Sequence, residues 1–155
     1  MDMIEIVPYQ PAHQVGIDAM MQEIAQEFID PIMVKQTNGT APIPDNYWVA
    51  LHNGQVVETI ALVNFKNEFG VLKRMMLKTE FRGAALGVSS LLLFTAIENA
   101  KKNSLEAIYL GTMTQFKAAQ RFYQKHGFQQ IGEEELPSDF PKYPIDKLFY
   151  KKKIA

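Results

Sequence analysis

Val71-Leu72-Lys73-Arg74-Met75-Met76-Leu77, followed by Arg82-Gly83-Ala84-Ala85-Leu86-Gly87 and then Val88-Ser89-Ser90-Leu91-Leu92-Leu93-Phe94-Thr95-Ala96-Ile97, is the stretch on which the fold turns. The first run is apolar and strand-like, the last is helix-like, and small residues join them. A strand that turns through small residues into a helix start presents an anion with backbone N–H groups that have no carbonyl one turn back. The positive end of the helix dipole adds to that attraction. Small side chains let a phosphate approach the backbone, and Arg82 can add a planar, charge-assisted contact. Gly and Ala at such a junction also serve the turn itself or close packing, so the junction alone leaves both readings open.

Working outward, Met3 to Val7 reads as a short strand stopped at Pro8. Ile17, Met20, Met21, Ile24 and Phe28 fall on one face of a helix that ends before Pro31. Asp30 to Asp45 holds Pro31, Pro42, Pro44, Asn38 and Gly39 without periodicity. A loop of that length is a candidate substrate lid or a tolerated surface excursion. Tyr47–Leu51 and Val56–Phe65 are strands joined at Asn53-Gly54, a strong hairpin signal. A second hairpin turn is expected at Asn67–Gly70. The helix over 86–102 is expected to bury Val88, Leu91, Leu92, Thr95, Ala96 and Asn99, with Leu93 and Ile97 widening the apolar face. Ala107–Leu110 is a strand, Phe116–Lys125 a helix capped by Gly127, and Phe128–Ile131 and Lys147–Lys152 complete the strands around a loop at Leu136–Pro144. This order predicts an α+β fold, an α/β/α sandwich with a mixed sheet and helices on both faces. With no repeat or linker, residues 1–155 read as a single domain.

The order of strand, Arg-Gly-x-Ala-x-Gly turn, amphipathic helix, strand, and helix ending in Tyr123-Gln124-Lys125-His126-Gly127-Phe128 resembles the Gcn5-related N-acetyltransferase (GNAT) family. Arg82, Ala85 and Gly87 fill the Arg/Gln-x-x-Gly-x-Gly/Ala motif, with Ala85 where Gly is commoner. Ala119, Tyr123, Gly127 and Phe128 match the second motif, and Phe116 stands where Asn is common. The resemblance implies a mostly antiparallel central sheet and acetyl-CoA as co-substrate. It implies that backbone amides of Arg82, Gly83, Ala84, Ala85, Leu86, Gly87 and Val88 hold the pyrophosphate. The pantetheine arm would pair with Met75, Met76 and Leu77, where neighbouring strands splay apart. An N–H of Met76 or Leu77 would then stabilise the oxyanion. The side chains of Met75 and Met76 read as core or acyl-pocket walls. Tyr123 is the residue the resemblance implicates in catalysis, protonating the departing thiolate. Read without the motif, it packs a helix against the sheet.

The composition, 47 % hydrophobic and 21 % charged with a formal charge of -1, is that of a soluble globular protein and argues against nucleic acid as a partner. Lys151-Lys152-Lys153 reads as a solvated strand end. The absence of cysteine excludes disulfides, thiolate metal sites and a cysteine nucleophile. The first residues lack a signal-peptide pattern and no apolar run is long enough to span a bilayer, so no membrane and a cytoplasmic location are expected. His13, His52 and His126 lack metal-ligand spacing, so no metal is expected. His126, beside Gly127, is placed to act as a cation at a helix C-terminus. No Gly-x-Ser-x-Gly elbow occurs.

The general base stays unassigned. Residues 71–77 contain no Asp, Glu or His, and Glu58 (at the start of its strand), Glu68, Glu80 and Asp146 read as solvated carboxylates rather than bases. The expected acceptor is the amine of a small molecule, with Tyr47, Trp48, Tyr143 and Phe140 as aromatic walls or simply as packing. A protein N-terminus is the enzymatic alternative, and a non-catalytic CoA-binding module or a fold that binds no CoA are the others. The resemblance also admits a homodimer, which is common in the family.

Overall fold

The structure, a computed structural model, describes residues 4–25, 46–77, 87–112, 114, 117–140 and 147–154. Its strands are β1 (Ile4–Pro8), β2 (Asn46–His52), β3 (Gln55–Phe65), β4 (Phe69–Leu77), β5 (Ala107–Thr112), β6 (Gln129–Ile131) and β7 (Leu148–Lys153). The helices are α1 (Gln14–Ala25), α2 (Val88–Lys102) and α3 (Lys117–Lys125). The strand order is β1-β2-β3-β4-β5-β7-β6. The β1–β2, β2–β3, β5–β7 and β6–β7 pairs are antiparallel and β4–β5 is parallel, giving a mixed, mostly antiparallel sheet. The chain divides into two compact units, Met1–Leu62 with Arg74–Ala96, and Val63–Lys73 with Ile97–Ala155.

In the first unit the Asn53-Gly54 hairpin forms as its residues dictate. Asn53 at φ 51° and Gly54 at φ 86° both take the left-handed backbone that a two-residue turn of matching twist requires. Six successive residues of β3, Val57 to Leu62, are buried, so both faces of this strand are covered. Alternation assigns the covers. Ala61 clusters with Tyr47 and Val49 of β2 and Ile17 of α1, so α1 lies on that face. Glu58, on the other face, receives a hydrogen bond from Ser89 of α2. Met20 of α1 is also buried; Phe28 and the loop Asp30–Asp45 lie outside the described residues.

Two expectations are corrected here. The second hairpin turn sits at Lys66–Glu68, not Asn67–Gly70. Lys66 at φ 55° and Asn67 at φ 58° make it, and Asn64 Oδ1 accepts the Asn67 N–H at 2.8 Å, which leaves Gly70 inside β4. The buried stripe of α2 is Val88, Leu92, Leu93, Ala96, Ile97 and Ala100, while Leu91 is 47 % exposed and Thr95 and Asn99 are half-buried. The run Leu91 to Phe94 is apolar around the whole helix, so its periodicity does not say which side meets the sheet.

In the second unit, the face of β4, β5 and β7 carrying Phe69, Val71, Ala107, Tyr109 and Phe149 is closed by Phe140. The opposite face presents Leu110 beside its partner Tyr150, and Tyr123 of α3 packs against Tyr150 at a ring distance of 6.0 Å.

Candidate active site

Strand β4 and the start of α2 bracket the small-residue turn. The β4–β5 ladder has three pairs, Phe69↔Ala107, Gly70↔Ile108 and Val71↔Tyr109. Beyond Val71 no further pair with β5 forms among the described residues, although β4 runs on to Leu77. In that stretch Arg74 adopts φ 54°, a left-handed backbone unusual for a non-glycine residue inside a strand. Its carbonyl accepts the Thr59 hydroxyl at 2.6 Å, and its guanidinium lies 5.3 Å from the centre of the Tyr47 ring. Burial raises the Tyr47 phenol above its ordinary value, with the Arg74 charge opposing that rise. Met75, next along the strand, is half-buried. Met76 and Leu77 are the last two residues of β4.

Arg82, Gly83, Ala84, Ala85 and Leu86 lie outside the described residues, as do Glu80, Phe116, Tyr143 and Asp146. Gly87 is described and stands immediately before α2 at φ 59°, where a side chain would be strained. A Cβ built on it meets nothing within 4 Å among the described residues. Its carbonyl accepts the Leu91 N–H at 3.1 Å and so opens the helix. The first-turn amides of Val88 and Ser89 have no partner within the helix itself, and the helix dipole adds positive potential there. A left-handed glycine followed by a helix start is backbone chemistry suited to a diphosphate. The Val88 side chain turns into the core, 2 % exposed.

Ser89 Oγ donates to the Glu58 carboxyl, 2.8 Å from Oε2 and 3.0 Å from Oε1. Glu58 is 0 % exposed and is the fourth residue of β3, which corrects its placement as a solvated carboxylate at a strand start. Burial pushes its carboxyl up to about 8, against a smaller downward effect of the Ser89 hydrogen bond. The signal was in the sequence: one carboxylate inside the apolar run Val56-Val57-Glu58-Thr59-Ile60-Ala61-Leu62 of a strand covered on both faces. Glu68, by contrast, is exposed in its turn.

A model of the acetyltransferase (GNAT) domain matches residues 44–130, more than half of the chain. The chain belongs to the GNAT family. A GNAT-family acetyltransferase from Staphylococcus aureus Mu50 superposes with a TM-score of 0.88 at 30 % identity, covering 99 % of this chain and 100 % of that one. An acetyltransferase from Streptococcus agalactiae 2603 gives 0.85 at 26 % identity, covering 97 % and 98 %. The N-acetylaspartate synthetase of Danio rerio is 34 % identical over 114 residues, 71 % of this chain. The chain spans 39 % of that relative's length.

The second GNAT motif falls in the other unit. Tyr123 is 6 % exposed on α3, with Phe128 at 5.8 Å and Tyr150 at 6.0 Å between ring centres. The helix ends in a Schellman motif: Phe128 N–H to Tyr123 carbonyl at 3.0 Å and Gly127 N–H to Gln124 carbonyl at 3.2 Å, with Gly127 at φ 89°. The Tyr123–Phe128 contact is the apolar partner of that cap.

A lysine cation also serves this helix end. Lys152 Nζ donates to the His126 carbonyl at 3.0 Å. Burial first, then the charges of Lys125 and Lys152, lower the His126 imidazole from its ordinary value. The proposed aromatic walls also separate: Tyr47 packs with Ile17, Val49 and Ala61, and Phe140 packs with Phe69, Tyr109 and Phe149. Both are core residues of different clusters. Among the described residues no group of three or more His, Asp or Glu side chains is assembled to hold a metal, and no helix is long and apolar enough to cross a membrane.

Proposed function

We propose that the chain is a single-domain N-acetyltransferase of the cytoplasm that moves the acetyl group of acetyl-CoA to the primary amine of a small molecule. Membership of the GNAT family together with the left-handed Gly87 at the start of α2 carries this reading. In the proposed reaction the amine nitrogen attacks the thioester carbonyl carbon, and the carbonyl electron pair moves to oxygen. A backbone N–H of Met76 or Leu77 stabilises that oxyanion. Collapse breaks the C–S bond, the thiolate takes a proton from Tyr123, and the amine's surplus proton leaves to water. Amides of residues 82 to 88 hold the diphosphate, with Arg82 adding charge. The name of the fish relative makes amino acids the first acceptors to try, ahead of polyamines and peptide N-termini. A homodimer is compatible with this chemistry and has no role in it.

Calorimetric titration with acetyl-CoA, with ATP as control, tests the cofactor site. Stoichiometric binding weakened by Arg82→Glu is the expected result. Equal binding by wild type and Arg82→Glu, or none by either, removes the proposed cradle.

A further inference from the structure

We propose that Glu58 is a positioning residue for the cofactor: acting through Ser89, it holds the first turn of α2 in place, and its loss of a proton weakens acetyl-CoA binding. The inference rests on the reading that this helix start holds the diphosphate.

The geometry is a carboxyl group with no solvent exposure on β3, joined at 2.8 and 3.0 Å to a hydroxyl in the first turn of α2. Ser89 is two residues beyond the left-handed Gly87, so the bond ties the sheet to the segment whose amides must face the ligand. A serine hydroxyl has one hydrogen, and it satisfies one carboxylate oxygen. A protonated Glu58 uses its own O–H toward the Oγ lone pairs, so the neutral pair satisfies itself in a buried setting where an unpaired group is costly.

A negative charge buried against the first turn of α2 acts in a medium far less polarisable than water and repels an anion held there. Burial is what keeps the carboxyl protonated, to about pH 8. On β2, Glu58 is paired with Ala50, and His52 farther along that strand is paired with Gln55. Across β4, the Arg74 carbonyl accepts from Thr59 and its guanidinium goes to Tyr47, on the opposite face of β3 from Glu58. From α2 the group facing it is Ser89. Among the described residues no charged side chain perturbs the carboxyl; burial and the Ser89 bond do.

Binding and proton loss are therefore reciprocally coupled: a bound diphosphate holds the proton on Glu58, and loss of that proton lowers affinity. Acetyl-CoA affinity, measured by calorimetry from pH 7 to 9.5, is expected to fall on the order of fivefold through the upper half of that range. The thioester has no thiol to titrate, and its phosphates are already almost fully ionised at pH 7. Glu58→Gln keeps the shape and has no proton to lose, so its acetyl-CoA affinity should show no such fall between pH 7 and 9.5. Ser89→Ala removes the interaction that lowers the carboxyl, so its fall should move to higher pH. A wild-type fall that persists in Glu58→Gln, or a flat wild-type profile, overturns this proposal and leaves the cofactor reading standing. Absence of acetyl-CoA binding by the wild type at every pH overturns both.

Discussion

Glu58 links folding stability to pH as well as binding. Below about 4.5, its ordinary value, it is protonated in both the folded and unfolded chain. Between there and about 8 the unfolded chain ionises it and the folded chain does not, so stability is lost as pH rises through this window and the loss ends above it. Glu58→Gln has no such titration. Denaturant unfolding at pH 5, 6.5 and 8 should show the variant gaining on the wild type by a few kcal/mol across the series. A constant difference would place the carboxyl in solvent. Tyr123 carries a different expectation. Tyr123→Phe keeps the ring that packs on Phe128 and Tyr150 and removes the hydroxyl. Its kcat should fall about a hundredfold or more with acetyl-CoA affinity retained. Turnover within a few-fold of wild type across a pH profile would return Tyr123 to a packing role.

The end of α3 shows how one element's local rules place a motif. Gly127 is needed at φ 89°, and a Cβ there would also meet Lys152 Nζ at 2.7 Å. Gly127→Ala should cost about 1–2 kcal/mol and lower the melting temperature by several degrees. An unchanged melting curve would mean that the cap relaxes without loss. Elements of this kind were legible in advance, because Gly127 and Asn53-Gly54 act through their own backbone preferences. The order of strands and helices was legible for the same reason. The buried side of α2 was not, since Leu91-Leu92-Leu93-Phe94 is apolar in every direction and only the sheet chooses among its faces. The burial of Glu58 had a local signal in its apolar run, but the Glu58–Ser89 and Lys152–His126 pairings did not, because the partners lie 31 and 26 positions apart. No window along the sequence contains those pairs.

Across the whole chain, the mixed seven-stranded sheet, the GNAT domain match and the left-handed glycine before α2 point to one chemistry. The formal charge of -1 gives little long-range steering of an anionic cofactor, so the proposed cradle is expected to act through local amides and Arg82. Turnover separates an enzyme from a CoA-binding module. The most direct test is release of free CoA thiol from acetyl-CoA by the purified protein, with and without a panel of amino acids, polyamines and peptides. The expected result is release that depends on one class of amine, with mass spectrometry showing the acetylated acceptor in equal amount. Tight acetyl-CoA binding with no acceptor-dependent release across the panel would contradict it and make the chain a CoA-binding module.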